Sequence, residues 1–426
     1  MPESRKPDKP GYCIVERMKR RHFLVSSAAA AAPAFAQTRS ANDLLRVGIV
    51  GPGGRGTEVM KECIEYGGKF SARVVAACDI WNQRRDAAAK LLRESYGTEP
   101  RIYSKYDDML AAKELDAVII ATPDHLHAKM LKAAVEAGLD VYCEKPMGNV
   151  LSEANAALDA VKRSGRIVQI GTQRRSYPKY RAAMRMIAEG RIGQVLRADV
   201  IWNEYAPFRW ARKDAELNSL KESDVNWKEF LGSKADRPFD PRMYRTFRLF
   251  REFSSGIIDQ WMTHGIDVVH MLTGEPYPMH AYTEGLNAIS KDYRENPDTI
   301  EVVLQYGFGG RRFMATYATC LANATGKATR IIGSRGAALV EDVWRITGAG
   351  VKSADAAKDE EIPDEPGVVH HMANWLDCVR RRDSAGLYCN ADAGYGHSVA
   401  CIMATDSLWA GKRMKFDPAR RTIQEG

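Results

Sequence analysis

The stretch Val47-Gly48-Ile49-Val50-Gly51-Pro52-Gly53-Gly54-Arg55-Gly56 decides the fold of this chain. Its first residues have the composition of a buried strand, and the glycines after them have the GxGxxG spacing that leads a strand into a helix. We expect Gly51 to make the tight turn, Gly53 to let the backbone approach a phosphate, and Gly56 to let the helix pack closely on the strand. The stretch therefore predicts a dinucleotide site, with pyrophosphate at the positive end of the helix.

A carboxylate follows the next apolar run. Asp79 closes the run Arg73–Cys78 at about the distance where a carboxylate accepts hydrogen bonds from adenosine ribose hydroxyls. It favours NAD, because a carboxylate repels a ribose phosphate. Arg84 and Arg85 are able to cradle that phosphate instead, so NADP stays open, and Asp79 also suits an N-cap or a turn.

Apolar runs alternate with helix-like segments in the first part of the chain. The predicted strands are Leu45–Val50, Arg73–Cys78, Asp116–Ala121, Asp140–Cys143 and Arg166–Ile170, and the predicted helices between them include Gln83–Arg93, His125–Ala137 and Ser152–Arg163. Valine-rich and isoleucine-rich strands that alternate with helices indicate a parallel sheet covered on both faces. Residues 38–170 are therefore predicted to form a doubly wound Rossmann domain in an α/β chain.

The pattern changes after Gly171. Long runs that partly alternate are predicted as strands at Gln194–Trp202, Ile300–Tyr306, Arg312–Tyr317 and Ala328–Ile332, with helices at Gly256–Leu272, His371–Arg382 and Ala391–Ala410. Strands without a helix after each one indicate a largely antiparallel open sheet covered on one face. We expect residues 171–426 to form a second α/β domain for substrate binding and oligomerisation, with the acidic stretch 355–364 as a solvated loop.

The composition excludes several classes of function. The chain has 426 residues and a formal charge of +8, with 62 Lys and Arg scattered among 54 Asp and Glu. No basic tract stands out, so nucleic-acid binding is not indicated. The eight cysteines show neither paired zinc spacing nor disulfide density, so most are expected to be small buried residues and no metal site is predicted.

The first residues have the features of an export signal. Lys19-Arg20-Arg21-His22-Phe23-Leu24 precedes an alanine-rich apolar run, and Ala34-Phe35-Ala36 offers a cleavage site before Gln37. Residues 1–37 are thus predicted to be a twin-arginine signal, and residues 1–17 an over-extended start. The alternative is an exposed basic helix. Export of the folded protein by the twin-arginine machinery would make it periplasmic with its cofactor already loaded.

Polar residues follow three of the predicted strands, at the sheet edge where a cofactor would lie. They are Thr122, Pro123, His125 and His127 after the third clear strand, Glu144 and Lys145 after the fourth, and Gln173, Arg174 and Arg175 after the fifth. Gln173 and Arg174 are expected to face the cleft and bind a polyhydroxylated ligand. His125 suits a surface helix start as well as a function, and Arg175 suits a surface ion pair. The structural alternative for Lys145 is a pair with Glu144.

These motifs resemble the glucose–fructose oxidoreductase and inositol dehydrogenase family, written Gfo/Idh/MocA. The resemblance spans nearly the whole chain after the signal, and Glu144-Lys145-Pro146 is its most specific motif. It implies a tightly bound nicotinamide cofactor and a homodimer or homotetramer formed through the open sheet face. The residues assigned to the cofactor are Gly51, Gly53, Gly54, Arg55, Gly56, Asp79, Arg84, Thr122, Pro123, His127, Glu144 and Lys145.

The resemblance also assigns catalytic roles. Lys145 matches the lysine that approaches both the substrate hydroxyl and the nicotinamide, and burial beside a positive ring is expected to lower its pKa. His264 is the second catalytic candidate. The family often has an aspartate four residues before this histidine, but here that position is Gln260, assigned to a substrate hydroxyl. Asp259 is also assigned to substrate, which it reaches only if the helix start is irregular. Asp267 is expected to pair with His270.

The leading hypothesis is therefore an exported NAD(P)-dependent oxidoreductase that acts on a hydroxyl or carbonyl carbon of a sugar, a sugar derivative or a cyclitol. One alternative is a glycoside-cleaving enzyme that uses transient oxidation and elimination. Another is a sugar-binding protein that retains cofactor without turnover. The aromatic residues Trp202, Tyr205, Phe208 and Trp210 are able to form a sugar platform, although core packing is the expected role.

Overall fold

Two β-sheets carry the fold in the computed structural model, which describes residues 43–310, 312–341 and 343–426. The predicted signal region and Cys13 lie outside the described residues. The first sheet contains β1 (Leu45–Val50), β2 (Ala72–Cys78), β3 (Arg101–Tyr103), β4 (Ala117–Ile120), β5 (Asp140–Cys143) and β6 (Val168–Ile170). All its pairings are parallel, in the order β3-β2-β1-β4-β5-β6.

Helices cover this sheet as the alternating pattern predicts. They are α1 (Gly54–Gly67), α2 (Asn82–Tyr96), α3 (Tyr106–Ala111), α4 (His127–Glu136) and α5 (Leu151–Ser164). Val47, Ile49, Val118 and Ile119 have no exposed surface, which is why these strands read as continuous apolar runs. The strand order reverses between β1 and β4, and ligands bind at the carboxyl ends of strands at such a switch point. The predicted doubly wound domain is confirmed.

The second sheet has ten strands. They are β7 (Val195–Trp202), β8 (His280–Leu286), β9 (Thr299–Tyr306), β10 (Phe313–Cys320), β11 (Lys327–Gly333), β12 (Ala337–Val340), β13 (Arg345–Thr347), β14 (Glu360–Glu361), β15 (Met414–Asp417) and β16 (Thr422–Glu425), in the order β14-β13-β12-β11-β7-β10-β9-β8-β15-β16. Every pairing is antiparallel except β7 with β10. The acidic stretch predicted as a loop contributes the short edge strand β14.

Seven more helices complete the described chain: α6 (Pro178–Ala188), α7 (Asp214–Asn218), α8 (Trp227–Leu231), α9 (Pro241–Arg245), α10 (Thr263–Thr273), α11 (His371–Arg381) and α12 (Ala391–Ala410). None of the helices in the described residues is long and apolar enough to cross a membrane. Ala198, Val200 and Ala315 face the helices from the second sheet, while Ile201 and Met314 lie on its open face with 36% and 49% exposure.

The boundary predicted at residue 171 does not describe the packing of α11. Trp375, Leu376 and Val379 share a core with Val59 and Met60 of α1, so this helix belongs to the first sheet's layer. This late segment of the chain packs against the first domain because the outer face of α1 carries apolar side chains that residues 38–170 alone leave uncovered. An amphipathic pattern locates such a helix in sequence but does not say which sheet it covers.

The segment between β7 and α10 forms a third, smaller core that includes Val225, Trp227 and Phe230. It docks on the end of β2, where Ile80 and Trp81 pack against it and Asn226 donates its backbone N–H to the carbonyl of Ile80 at 2.9 Å. The segment therefore lies beside the carboxyl end of the first sheet and supplies one wall of the cleft there.

Candidate functional site

The glycine turn after β1 is shaped as its spacing predicts. Gly51 has a φ of +76°, a conformation that glycine adopts without a Cβ penalty. A Cβ on Gly56 would lie 2.0 Å from the Gly51 carbonyl oxygen, so only glycine lets α1 start this close to the turn. Gly54 opens α1 with no heavy atom within 4 Å of a would-be Cβ, which leaves space at the positive helix end. The turn fits a pyrophosphate.

Arginine lies over the middle of this turn. A Cβ on Gly53 would lie 1.3 Å from Nη1 of Arg84, so the guanidinium rests where a phosphate would approach. Arg84 also stacks on Trp81, with 5.3 Å between its guanidinium carbon and the ring centroid. Because Arg84 is a flexible cation at an anion site, it pairs with a bound phosphate or moves aside for it. Arg85 instead donates to the Asp79 carbonyl at 2.8 Å and caps the end of β2.

Asp79 lies at the predicted strand end and lines the cleft. It is 7% exposed and accepts the Trp81 backbone N–H at 2.9 Å. Asp79 therefore also has the turn-forming role that the sequence analysis gave as the alternative to cofactor binding. Burial raises the pKa of Asp79, while Arg84 and Arg85 lower it. One carboxylate oxygen holds the turn, and the residue still borders the space where a ribose would lie.

Glu144 and Arg55 form the floor between the turn and β5. Arg55 donates Nε–H to Glu144 at 2.9 Å and also pairs with Glu58 and Glu62. Gln173 donates to the same Glu144 carboxylate at 3.2 Å. Arg55 and Glu144, assigned to the cofactor, and Gln173, assigned to substrate, all line the cleft. The guanidinium of Arg55 is already paired with carboxylates, however. Its main effect is to hold the Glu144 carboxylate in place.

Lys145 is not paired with Glu144. Its Nζ donates to the backbone carbonyls of Gln260 at 2.8 Å and Asp259 at 3.3 Å. Burial lowers the pKa of Lys145, although the carboxylates of Asp124 and Glu144 act in the opposite direction. The lysine lines the same cleft as Gly51 and Gly53, as the sequence predicted.

The chain before α10 is irregular, and this places the acceptors of Lys145. Residues Ile258–Met262 form a π-helical turn, which shifts the register of the carbonyls relative to a regular helix. The irregular start does not bring the Asp259 carboxylate into the cleft, contrary to its assignment to substrate. Asp259 is 1% exposed, accepts the Ser255 backbone N–H at 2.7 Å and does not line the cavity. Burial and the nearby Asp124 raise its pKa.

Asp124 is a cleft residue that the sequence analysis did not identify. Its Oδ2 accepts hydrogen bonds from Nε2 of Gln260 and Oγ of Ser254, both at 2.6 Å. Gln260 therefore holds Lys145 through its carbonyl and Asp124 through its amide. The position of Asp124, directly after Pro123 at the end of a buried strand, was the available signal.

His264 lines the cleft between Lys145 and the tryptophans. Burial, together with the cations Lys145 and Arg174, holds the pKa of His264 well below its ordinary value, so the ring is neutral at pH 7. Its Nδ1 is buried with no hydrogen-bond partner among the described residues. Trp202 lies 6.1 Å from it between ring centroids and stacks on Trp261 at 5.4 Å.

The two histidines after β4 are both buried. His125 is 4% exposed and donates from Nε2 to the Phe230 carbonyl at 2.7 Å, so the surface interpretation is wrong: α8 covers it. The ring nitrogens of His127 lie 2.7 Å from the Pro146 carbonyl and 2.8 Å from the Thr122 carbonyl, which joins the loops after β4 and β5. The Thr122 hydroxyl is buried at the cleft with no partner in the described residues and is free for a ligand.

Several sequence expectations around α10 need correction. Arg174 does not line the cleft, because it pairs with Glu341 and stacks on Trp202 at 4.6 Å. Asp267 does not pair with His270. Its partners are Arg175, at 2.8 Å, and His397, at 3.3 Å. His270 is instead buried with its Nε2 2.9 Å from the Tyr306 hydroxyl. Arg175 is thus ion-paired but not on the surface.

The aromatic residues predicted as core divide into two pairs. Trp202 and Trp210 line the cleft, whereas Tyr205 and Phe208 are 68% and 62% exposed, since they lie on the loop beyond β7. The cavity has a volume of about 650 Å³, within the range of cofactor and ligand clefts. In the described residues, no group of three or more His, Cys, Asp or Glu side chains is arranged to hold a metal ion. Six of the seven described cysteines are buried, as expected.

Comparison with known protein families matches both halves of the chain. A profile described as "Oxidoreductase family, NAD-binding Rossmann fold" matches residues 45–172, and one described as "Oxidoreductase family, C-terminal alpha/beta domain" matches residues 233–416. Together they cover more than half of the chain.

Among curated proteins, inositol 2-dehydrogenase of Salmonella typhimurium is 33% identical over 153 residues, which are 36% of this chain and 44% of that protein. An uncharacterized oxidoreductase of Rhizobium meliloti is 30% identical over 162 residues, 38% of this chain and 46% of that protein. The chain thus matches less than half the length of these relatives.

Solved structures share the fold. The scyllo-inositol dehydrogenase from Lactobacillus casei with bound NAD(H) and scyllo-inositol has a TM-score of 0.61 at 18% identity, covering 88% of this chain and 99% of that one. The WlbA dehydrogenase from Bordetella pertussis, in complex with NADH and UDP-GlcNAcA, has a TM-score of 0.63 at 20% identity, with 88% and 99% coverage.

Proposed function

Given that this chain belongs to the Gfo/Idh/MocA family of NAD-binding oxidoreductases, we propose that it transfers hydride to or from a carbon of a sugar, a sugar derivative or a cyclitol that bears a hydroxyl or a carbonyl. One observation carries the proposal: the glycine turn and the Nζ of Lys145 line one cavity. The inositol dehydrogenases among its relatives support the substrate class.

The described residues fit NAD at both ends of the cleft. The turn at Gly51, Gly53 and Gly56 leaves room for a pyrophosphate, and a side chain at Gly56 would collide with the turn itself. Asp79 lines the cleft where the ribose would lie. The unpartnered hydroxyl of Thr122 lies between these groups and Lys145 in the fold. When bound, the cofactor supplies the hydride acceptor or donor of the reaction. Asp79 favours NAD, while Arg84 leaves room for NADP.

Lys145 is proposed as the group that takes the hydroxyl proton. A neutral amine has two N–H groups, and Lys145 has two backbone carbonyls as acceptors, at 2.8 and 3.3 Å. When both bonds are made, the lone pair remains available for a proton. The lowered pKa of Lys145 favours this neutral form, as a base that works near neutral pH requires. In the reverse direction the protonated amine returns the proton.

His264 and Gln260 are proposed to position the reacting oxygen. His264 is neutral, has an unpartnered Nδ1 and borders the same cavity, so it is able to exchange one hydrogen bond with a substrate hydroxyl. Gln260 is fixed through Asp124 at 2.6 Å, which prevents its amide from rotating freely. Stacked Trp202 and Trp261 offer apolar surface to a sugar ring.

The proposal is tested by incubating purified protein with NAD and a panel of sugars and cyclitols, while the near-ultraviolet absorbance of reduced nicotinamide is followed. Lys145→Met should retain cofactor and lose turnover by roughly 100-fold or more, since a positioned base contributes about that much. Lys132→Met is the matched control, because Lys132 is a partly exposed lysine on α4 that pairs with Glu136 and does not line the cleft. Full turnover in Lys145→Met would remove the mechanism.

We further propose that residues 1–37 direct export to the periplasm, where no free pool of dinucleotide exists. The cofactor would then stay bound between turnovers. Mass analysis of nucleotide released from protein purified without added cofactor tests retention, and fusion of residues 1–37 to a reporter tests export. A cofactor-free preparation or a cytoplasmic reporter would contradict these proposals.

A homo-oligomer is proposed through the open face of the second sheet. Ile201, Tyr282 and Met314 lie on this face with 36%, 39% and 49% exposure, beside the partly buried Val303. Large apolar residues exposed on an uncovered sheet face are typical of an interface. Sedimentation of the wild type should show a dimer or tetramer, and Met314→Lys should weaken it. A wild-type monomer would contradict the proposal.

A further inference from the structure

The cleft has more cations than its carboxylates neutralise. Seven Lys and Arg line it against four Asp and Glu. Of the four carboxylates, Glu144 is committed to Arg55, and Asp124 accepts from Ser254 and Gln260. A bound dinucleotide places its pyrophosphate on the glycine turn, where Arg84 already lies. Of the other arginines that line the cleft, Arg209 and Arg212 pair with Glu204 and Glu216, whereas the Nε of Arg248 is buried without a partner in the described residues.

Arg248 is the central residue of that group. Its Nε is buried with no hydrogen-bond partner in the described residues. The guanidinium lies over the face of Phe247, with 4.3 Å between its carbon and the ring centroid. A buried N–H without a partner is costly unless a ligand or water satisfies it, so the Nε of Arg248 is available to a ligand in the cleft.

The backbone of Arg248 is held beside the catalytic groups. Asn296 donates from Nδ2 to the Arg248 carbonyl at 2.9 Å and to the Ser254 carbonyl at 2.8 Å. Ser254 in turn donates to Asp124, which also holds Gln260. The loop that carries Arg248 is therefore tied to the residues that orient Lys145.

Two further arginines face the same space. Arg209 stacks on Trp261 at 5.1 Å and pairs with Glu204, while Arg212 lies 3.7 Å from the exposed Glu216. Burial lowers the pKa of Arg248, the nearby Asp124 carboxylate acts in the opposite direction, and Arg84, Arg209 and Arg212 lower it further, so these cations lie close enough to repel one another. An anion among them would remove that repulsion.

We propose that Arg248, flanked by Arg209 and Arg212, binds an anionic group on the substrate, so that the preferred substrate is a sugar or cyclitol bearing a carboxylate or a phosphate. This inference rests on the proposed oxidoreductase function and narrows its substrate class. An arginine guanidinium presents paired N–H groups that match the oxygens of either anion.

The test compares neutral and anionic members of matched sets: glucose, galactose and mannose, each with its uronic acid and its 6-phosphate. Binding to NADH-loaded protein is measured by calorimetry, and turnover by nicotinamide absorbance. The wild type should bind one anionic series about 10- to 100-fold more tightly than its neutral parents, since charged hydrogen bonds have that strength. Which series binds distinguishes carboxylate from phosphate.

Arg248→Gln should abolish this preference, and Arg248→Lys should retain part of it. Arg242→Gln, at an exposed arginine of α9 paired with Asp240, is the matched control and should keep the preference. Melting temperatures of all variants report folding separately from binding.

Equal binding and turnover of neutral and anionic sugars would overturn the inference and leave the oxidoreductase function standing. A change in Arg248→Gln of the NADP-to-NAD affinity ratio, without a change in substrate preference, would also overturn it and assign Arg248 to the cofactor. If no member of the panel binds or reduces the nicotinamide, the inference and the proposed function both fail.

Discussion

The absence of a side chain at Gly56 is predicted to control cofactor binding. In Gly56→Ala, the new Cβ would lie 2.0 Å from the Gly51 carbonyl oxygen, 2.9 Å from its carbon and 3.3 Å from Cβ of Ala121. Backbone atoms are the main obstacle, so α1 must withdraw by about 1.5 Å to reach ordinary contact. α1 is itself packed on α11 through Val59 and Met60, which resists this movement. Overpacking of this kind costs about 1–3 kcal/mol.

The same movement carries the amides of Gly54 and Arg55 away from the phosphate. A hydrogen bond of normal length that stretches by about 1 Å passes beyond bonding distance, and a charged hydrogen bond contributes about 1.5–3 kcal/mol. We therefore expect roughly 10- to 100-fold weaker NADH binding, measured by fluorescence titration, and a lower melting temperature.

Gly54→Ala is the matched control. Nothing lies within 4 Å of its would-be Cβ, so alanine there should leave cofactor affinity unchanged and slightly favour the helix. If Gly56→Ala bound NADH as tightly as the wild type, the argument that the glycine turn is a sterically limited phosphate cradle would be refuted.

Two further predictions concern stability. Burial lowers the pKa of His125 to about 4, so its neutral form stabilises the fold above pH 6.5, and this contribution is lost as the pH falls from 6.5 towards 4. In that window the free energy of unfolding measured in urea should fall by about 1.4 kcal/mol per pH unit because of this residue. His125→Gln should flatten the plot of unfolding free energy against pH by that amount, and an unchanged slope would contradict the prediction. Arg175→Gln leaves Asp267 buried without its cation and should lower the free energy of unfolding by about 3–5 kcal/mol. The double variant Arg175→Met with Asp267→Leu should recover much of this loss. If the single variant were as stable as the wild type, the buried ion pair would not have the stabilising role described here.

The first domain could be predicted from sequence because its strands are buried on both faces. Such strands read as short valine and isoleucine runs between helical segments, and the glycine spacing fixed where β1 ends. β3 was missed because Arg101 and Ile102 are exposed at the sheet edge, so the strand has no apolar run. The packing of α11 on the first domain was not predicted, because the face of α1 that it covers is more than 300 residues away in the sequence.

The site was predictable where a strand end supplies the residue. Lys145, Gln173 and Asp79 line the cleft because the carboxyl ends of parallel strands meet there. Arg248 was not predictable, because its segment has its own small core and its approach to the cleft depends on long-range packing. The π-helical turn before α10 is a register shift of a single residue, which apolar periodicity does not reveal.

The account's central claim is that the glycine turn and the amine of Lys145 serve one reaction in one cleft. A crystal structure of the protein with NADH tests this most directly. The account predicts the pyrophosphate on the amides that follow Gly53 and the nicotinamide ring against Lys145 and His264. A nicotinamide ring bound outside the cavity that Lys145 lines, with the cofactor otherwise well ordered, would contradict it.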